Sequence, residues 1–304
     1  MRSRRLLTGL ALAALVLTAC QTPAPADPQS TSSTDSRPAH SARVTKLLVF
    51  VVENHSRDEM RSQMPAAFAL AREYGFATRY RAITHPSLPN YLAIAGGSTF
   101  GVTDDASPSS HEVRGASVFG QAIRAGKSAK TYAEGMPRRC ALEPGGGRYA
   151  VKHNPWAYFV DSRTACLKHD VPVNRLAADT KAGALPNAGL VIPDLVDDAH
   201  DADCDLGDAD AWLRRELRAV LAGPDFASGH LAVVITADED DHSQHNLVLT
   251  TVIHPSQQGH VVRTRLTHYS LTRLYEQVLG VRLLRHAATA PDMAAAFGLP
   301  LPRG

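Results

Sequence analysis

Three segments of this chain are unbroken apolar runs rich in β-branched residues, and each stops at a carboxylate. TKLLVFVV runs into Glu53, AGLVIP into Asp194 and LAVVITA into Asp238. A strand with one wet face alternates apolar and polar side chains. A run without alternation fits a strand buried on both faces, as in parallel sheets covered by helices. Helical patterns stand between the runs: AAFALAREYG, closed by Gly75, then SVFGQAIRAGK, the amphipathic DADAWLRRELRAVL, and SLTRLYEQVLG. AKTYAE and NLVLTTVIHP read as two further strands. Such alternation predicts an α/β fold, a mostly parallel central sheet with helices on both faces. Residues 136–185, with EPGGGRY and few periodic runs, are expected to form a loop-rich insertion.

The N-terminus is expected to lie outside that fold. Arg2, Arg4 and Arg5 precede an apolar run from Leu6 to Ala19, too short for a comfortable membrane span. Residues 1–20 read as a lipoprotein signal peptide, because LTAC is similar to a bacterial lipoprotein cleavage box with Cys20 as the lipidated residue. The alternative is an ordinary secretory signal with an incidental cysteine. Both readings take the mature chain out of the cytoplasm, the first as a membrane lipoprotein facing outward, the second as a secreted protein. Residues 21–43, rich in Pro, Ser, Thr and Ala, read as a disordered tether. Residues 44–304 suit one domain: of the whole chain 44% is hydrophobic, ample for a core. A net charge of +2 with mixed signs argues against a nucleic-acid partner. Of the cysteines after Cys20, a Cys140–Cys166 disulfide that leaves Cys204 over is one pairing among those the sequence leaves open.

In doubly wound sheets ligands bind beyond the carboxyl ends of the strands. Glu53 and Asn54 follow the first run and are hard oxygen donors suited to a divalent cation, although a single loop Glu more often caps a helix. Asp194, Asp197, Asp198, His200 and Asp201 crowd together after the second run, where like charges repel unless a cation or several donors offset them. The outer members, Asp203, Asp205 and Asp208, read as a solvated loop, with Asp208 a possible helix cap. Asp238 to Asp241 follow the third run, with His242 and His245 beyond them as weaker candidates. His268 stands before the last helix, either closing the site or merely starting the helix.

Ser87 in HPSLPNYLAIAGG raises a separate question. If SLPNYLAIA is helical, Ser87 lies at or beside its N-cap and Pro89 falls in the first turn, where a missing N–H costs nothing. The helix N-terminus would then favour an anion such as phosphate beside Ser87, with Asn90 one turn on as an amide donor. Helix cap and nucleophile use the same geometry.

VVENHS, THPSLPNYLAIAGGSTFG, YAVKHNPWAYF, VIPDLVDDAHD, ITADEDD and THYSL, in this order, resemble the phosphoesterase family of acid phosphatases and C-type phospholipases, which is similar to the alkaline phosphatase superfamily. The resemblance implies a nucleophile at Ser87 within Ser-x-Pro-Asn, with Asn90, His200 and His268 as catalytic partners. It implies metal ligation by Glu53, Asn54, Asp198, Asp201, Asp238 and Glu239, and places Lys152 and His153 near the phosphate. The cofactor implied is a divalent metal cation of unspecified identity. The expected activity is phosphomonoester hydrolysis through a phosphoserine, on a phosphorylated small molecule, a phosphoinositide or a phospholipid. The alternatives are a phosphodiesterase of phospholipase C type and a non-catalytic lipoprotein that binds a phosphorylated ligand. Two departures stand out: Ala237 replaces an aromatic residue, and Asp194 replaces an asparagine.

Overall fold

The first apolar run becomes β1 (Lys46–Val52), with six of its seven residues buried, as a strand covered on both faces requires. The computed structural model describes residues 42–145, 147–200 and 205–302. Cys20 with the signal-peptide segment, the tether up to residue 41, Asp201, Asp203 and Cys204 lie outside the described residues.

After β1 come α1 (Arg57–Gln63), α2 (Pro65–Glu73), β2 (Gly75–Ala77), β3 (Tyr80–Arg81), α3 (Ser87–Gly96), α4 (Val118–Arg124) and β4 (Ala129–Ala133). The middle of the chain forms α5 (Arg163–His169), β5 (Asp170–Pro172), α6 (Arg175–Lys181) and β6 (Ala188–Ile192). Then follow α7 (Leu206–Ala222), α8 (Pro224–Ala227), β7 (Leu231–Ala237), β8 (Thr250–Ile253), β9 (His260–Val262), β10 (Leu266–Thr267), α9 (His268–Leu279) and α10 (Met293–Phe297).

Eight strands form one sheet in the order β5-β4-β6-β1-β7-β8-β2-β9, and only β8 runs against the rest. Helices α3, α4 and α9 pack together over one face, while α2, α6, α7 and α8 cluster around α7 over the other. β1 lies between β6 and β7, with Val52 paired to Ala237. Glu53 and Asp238 therefore leave the sheet side by side. The Glu53 N–H also donates to the Asp198 carbonyl at 3.1 Å, which brings the acidic loop after β6 to the same edge.

All ten residues of α3 are buried, so it is a core helix rather than an amphipathic one. Its closing glycines have separate reasons. A Cβ on Gly96 would stand 2.7 Å from the Phe100 ring, and Gly97 caps the helix at φ 68°.

Three local expectations need correction. Gly75 does not close α2; the helix ends at Glu73 and Gly75 opens β2, where a Cβ would stand 3.0 Å from the His260 carbonyl. The segment 136–185 is not mainly loop, because it carries α5, α6, 3-10 turns and the edge strand β5, all too short to show a period. The cap of α7 is Asp205, which accepts from Gly207 and Asp208 N–H groups, while Asp208 supplies the reciprocal bond of a capping box. Within this segment Cys140 and Cys166 form a disulfide with Cα atoms 5.4 Å apart.

Candidate active site

Glu53, Asp238 and Glu239 meet at the carboxyl ends of the two central strands, and each is 5% exposed or less. Asn54 takes φ 48°, a left-handed conformation that asparagine tolerates better than most residues, and its N–H donates to Asp238 Oδ1 at 3.2 Å. Both Glu53 oxygens and Asp238 Oδ2 are buried without a hydrogen bond of good geometry. Burial, then the charge of Glu53, pushes Asp238 well above the usual carboxylate range, and the same two causes push Glu239 up to about 8. Glu53 goes the other way: burial, the largest single cause, would raise it, but the charge and hydrogen bond of His153 with the charges of Lys152 and His200 together outweigh burial and hold it ionised.

His153 is fully buried between two acids, with Nε2 2.6 Å from Glu53 Oε1 and Nδ1 3.2 Å from Asp198 Oδ2. Burial opposes its charge, yet Glu53 and Asp198 raise it to about 9. Its ring stacks on Tyr91 at 5.1 Å. His200 Nε2 lies 3.7 Å from Glu53 Oε2 and 3.2 Å from Lys152 Nζ, and Lys152 also reaches Asp105 Oδ2 at 3.0 Å. Ala199 holds φ 67° between Asp198 and His200, a strain of about 1 kcal/mol or more, and the side chains on either side of it both reach the Glu53–His153 pair.

Ser87 is the first residue of α3, with Pro86 as N-cap, so it starts the helix without capping it by side chain. Its hydroxyl makes no hydrogen bond among the described residues. Ser87, Asn90 and Tyr91 share one helical face. Asn90 donates to Glu239 Oε2 at 3.1 Å and to the Thr84 and Pro86 carbonyls, and accepts from Ile83 and Thr84 N–H groups. It clamps the loop that delivers Ser87 onto Glu239. The Leu88 N–H at the helix start donates to Asp105 Oδ1 at 2.9 Å.

His268 is the first residue of α9 and is fully buried. Its Nε2 lies 2.6 Å from the Asp238 carbonyl, which only accepts, so Nε2 carries the proton and Nδ1 accepts from the Tyr80 hydroxyl at 3.0 Å. Burial lowers its pKa to about 4, in keeping with a neutral ring.

Of the acids after β6, Asp198 turns into the site. Asp194 and Asp197 gather instead with Glu134, and Asp194 Oδ1 accepts from the Val196 and Asp197 N–H groups. The sequence reading assigned no role to His85, Asp105, Tyr80 or Tyr91. His85 places Nδ1 3.2 Å from Glu239 Oε2 and Nε2 3.2 Å from Asp240 Oδ1, and stacks on His242 with ring centroids 3.9 Å apart. Its place directly before Pro-Ser was the one available signal; Asp105 lies in an ordinary-looking polar loop and carried none.

A model of the phosphoesterase family matches residues 50–282. The chain is 29% identical over 257 residues to the phosphatidylinositol-3-phosphatase of Mycobacterium tuberculosis, covering 83% of this chain and 82% of that protein. It is 32% identical over 219 residues to the phosphate-repressible acid phosphatase of Penicillium chrysogenum, covering 66% of this chain and 51% of that protein. It thus spans about half the length of the fungal relative. Among solved structures, an alkaline phosphatase superfamily protein from Vibrio parahaemolyticus aligns at TM-score 0.56 and 9% identity, over 83% of this chain and 71% of that one. The lipoteichoic acid synthase LtaP of Listeria monocytogenes aligns at TM-score 0.56 and 8% identity, over 82% and 77%. At such identities the likeness is one of fold alone. With the family match spanning the strand ends that carry the buried acids, the chain belongs to the phosphoesterase family and has the alkaline phosphatase fold.

Proposed function

We propose that this chain is a divalent-metal-dependent phosphomonoesterase that works through a phosphoserine at Ser87. The observation that carries this reading is the crowding of buried carboxylates next to the helix that begins at Ser87: Asp238 Oδ2 has no hydrogen-bond donor, and Glu53 beside it has the His153 ring at 2.6 Å as its close cation. Buried acids so crowded are costly unless protonated or neutralised by a cation. Their hard oxygen chemistry, with Asn54 and Glu239 beside them, fits a divalent ion. Glu53, Asn54, Asp238 and Glu239 would hold it, and when bound it would lower the pKa of a hydroxyl and offset charge on phosphoryl oxygens. Asp198 belongs to the same set through His153, and Asp201 is assigned to it by family resemblance.

The remaining work falls to the chain's own residues. Ser87 gives its proton up to solvent, and Oγ forms a bond to phosphorus as the bond from phosphorus to the leaving oxygen breaks; the alkoxide released when the phosphoserine is cleaved takes a proton back from solvent. The N-terminal dipole of α3 and the Lys152 ammonium favour the negative phosphoryl group. His200, beside Lys152, protonates the leaving oxygen and then takes a proton from the water that cleaves the phosphoserine, so the hydroxyl is regenerated and phosphate released. His268 and Asn90 act as positioning residues, holding the Asp238 backbone and the Glu239 carboxylate. Phosphorylated small molecules and phosphoinositide or phospholipid head groups are the proposed substrates, by analogy with the named relatives. Export and lipid attachment at Cys20 belong to the same reading, tested by labelled fatty-acid incorporation that a Cys20→Ala chain should lose.

The test is phosphate release by the full-length chain from an aryl phosphomonoester and from its diester, with and without chelator. Monoester turnover lost with the chelator, together with a covalent phosphoserine trapped by acid quench, supports the reading. Turnover of the diester alone replaces it with a phosphodiesterase, and metal-independent turnover removes the cation from it.

A further inference from the structure

Beside the catalytic strand ends lies a cavity of about 470 Å³ walled by Arg57, Arg79, Arg81 and Arg265, by two threonines, and by the apolar Leu247 and Leu266. Its charge follows from strand geometry. β3 and β10 pair in parallel, with Leu266 opposite Tyr80 and Thr267 opposite Arg81. Tyr80 and Leu266 are buried. Side chains alternate along a strand, so Arg79, Arg81, Arg265 and Thr267 point to the other side and line the cavity together.

The four guanidinium groups are held or free in a telling pattern. Arg81 donates to the carbonyls of Gln244 and His245, and Arg57 donates to the Thr78 carbonyl at 3.0 Å. Arg57 also pairs with Asp58 at 3.0 Å, the one carboxylate among these contacts. The side chains of Arg79 and Arg265, both exposed, make no hydrogen bond or ion pair among the described residues. Four cations around one cavity repel each other, and a multiply charged anion relieves that repulsion. Guanidinium forks match the oxygens of a phosphate group, and two of the four are already pinned by backbone carbonyls. Arg79, Arg81 and Arg265 are more than an incidental basic patch, because the register of β3 with β10 aims them into one hollow, where Arg57 joins them from the start of α1.

We propose that this cavity binds a phosphate-class dianion, separately from the catalytic pocket. The two sites are neighbours along the chain: Thr267 runs directly into His268, and the loop whose carbonyls hold Arg81 follows Asp240, which pairs with His85. The anion is either free phosphate or the phosphate of a lipid head group, and two experimental arms separate these sources.

In the first arm the full-length chain is titrated calorimetrically with inorganic phosphate, beside Arg79→Ala/Arg265→Ala and an Arg263→Ala control. Arg263 is exposed nearby but does not line the cavity. The double variant is expected to bind one phosphate fewer than wild type, or to bind it about tenfold more weakly for each guanidinium lost, while the control is unchanged. Because the readout is the difference of one site, it stands whether or not the catalytic pocket also retains phosphate. The second arm measures sedimentation of each chain, on a Ser87→Ala background, with phosphatidylcholine vesicles that contain or lack phosphatidic acid. Phosphate-lipid binding that disappears with Arg79 and Arg265 identifies a lipid head group as the source; loss confined to the first arm identifies free phosphate. Equal behaviour of wild type and double variant in both arms overturns the proposal, and so does an equal loss in Arg263→Ala.

Discussion

Asp170 should make this protein more stable in acid than at neutral pH. The residue is fully buried at the edge strand β5, where it accepts from Thr131 Oγ1 at 2.5 Å and Asn154 Nδ2 at 2.8 Å. Burial pushes its carboxyl from 3.8 up to about 7, against those hydrogen bonds. A further contact points the same way: Cys166 Sγ lies 3.7 Å from Asp170 Oδ2, and a disulfide sulfur has no proton to donate, so only a protonated carboxyl gains from it. Between these two pKa values the unfolded chain releases a proton that the folded chain keeps. Stability is therefore full below about pH 4 and declines as pH rises to about 7. The gap of roughly three units at about 1.4 kcal/mol each bounds the loss at about 4 kcal/mol. Asp170→Asn keeps the shape and removes the titration. Urea denaturation of both proteins, disulfide intact, should show wild type losing stability relative to the variant as pH rises through that window. A difference independent of pH would refute the reasoning. The effect bears on the site, since Asn154 ties Asp170 to the turn that carries Lys152 and His153.

Other expectations follow from single contacts. Ser87→Ala should reduce monoester turnover by about a thousandfold or more while leaving the melting temperature nearly unchanged, because Ser87 is not a side-chain cap; retained turnover would exclude the nucleophile. Chelation should abolish turnover and lower the melting temperature, as Glu53, Asp238 and Glu239 again crowd unneutralised, and added metal should restore both; an unmoved melting curve would count against a bound ion. Tyr91→Phe should be neutral or slightly stabilising in calorimetry, since its buried hydroxyl has no partner. Thr272→Val should cost about 1 kcal/mol in denaturation, because Thr272 Oγ1 donates to the Ala93 carbonyl at 2.6 Å and fastens α9 to α3.

What the sequence by itself determined was whatever is written in neighbouring residues. The apolar runs Leu47–Val52 and Leu231–Ala237 had to become strands buried on both faces, because no charged residue interrupts them and the one polar residue, the β-branched Thr236, meets Thr250 Oγ1 at 2.8 Å. Pro89 and Gly97 bracket α3, since one needs no N–H and the other supplies a left-handed cap. Local patterns also marked which acids stand at strand ends, because a turn to hydrophilic residues after an apolar run shows where the strand leaves the core. Gly75 misled for the same local reason: a glycine after a helix reads as its cap, and only contact with His260 across β2 and β9 gives it another purpose.

Tertiary structure alone decided the partners. His153 lies between Glu53 and Asp198, Asp105 receives both the Leu88 N–H and Lys152, and His268 holds the Asp238 carbonyl. Strand order brought β6, β1 and β7 together although they are far apart in the chain, and the pairing of β3 with β10 set Arg79, Arg81 and Arg265 around one hollow with Arg57 of α1. A sequence records a side chain's chemistry and its near neighbours. The field at a carboxylate depends on charges within a few ångströms through space, and those distances exist only after the sheet has closed its register.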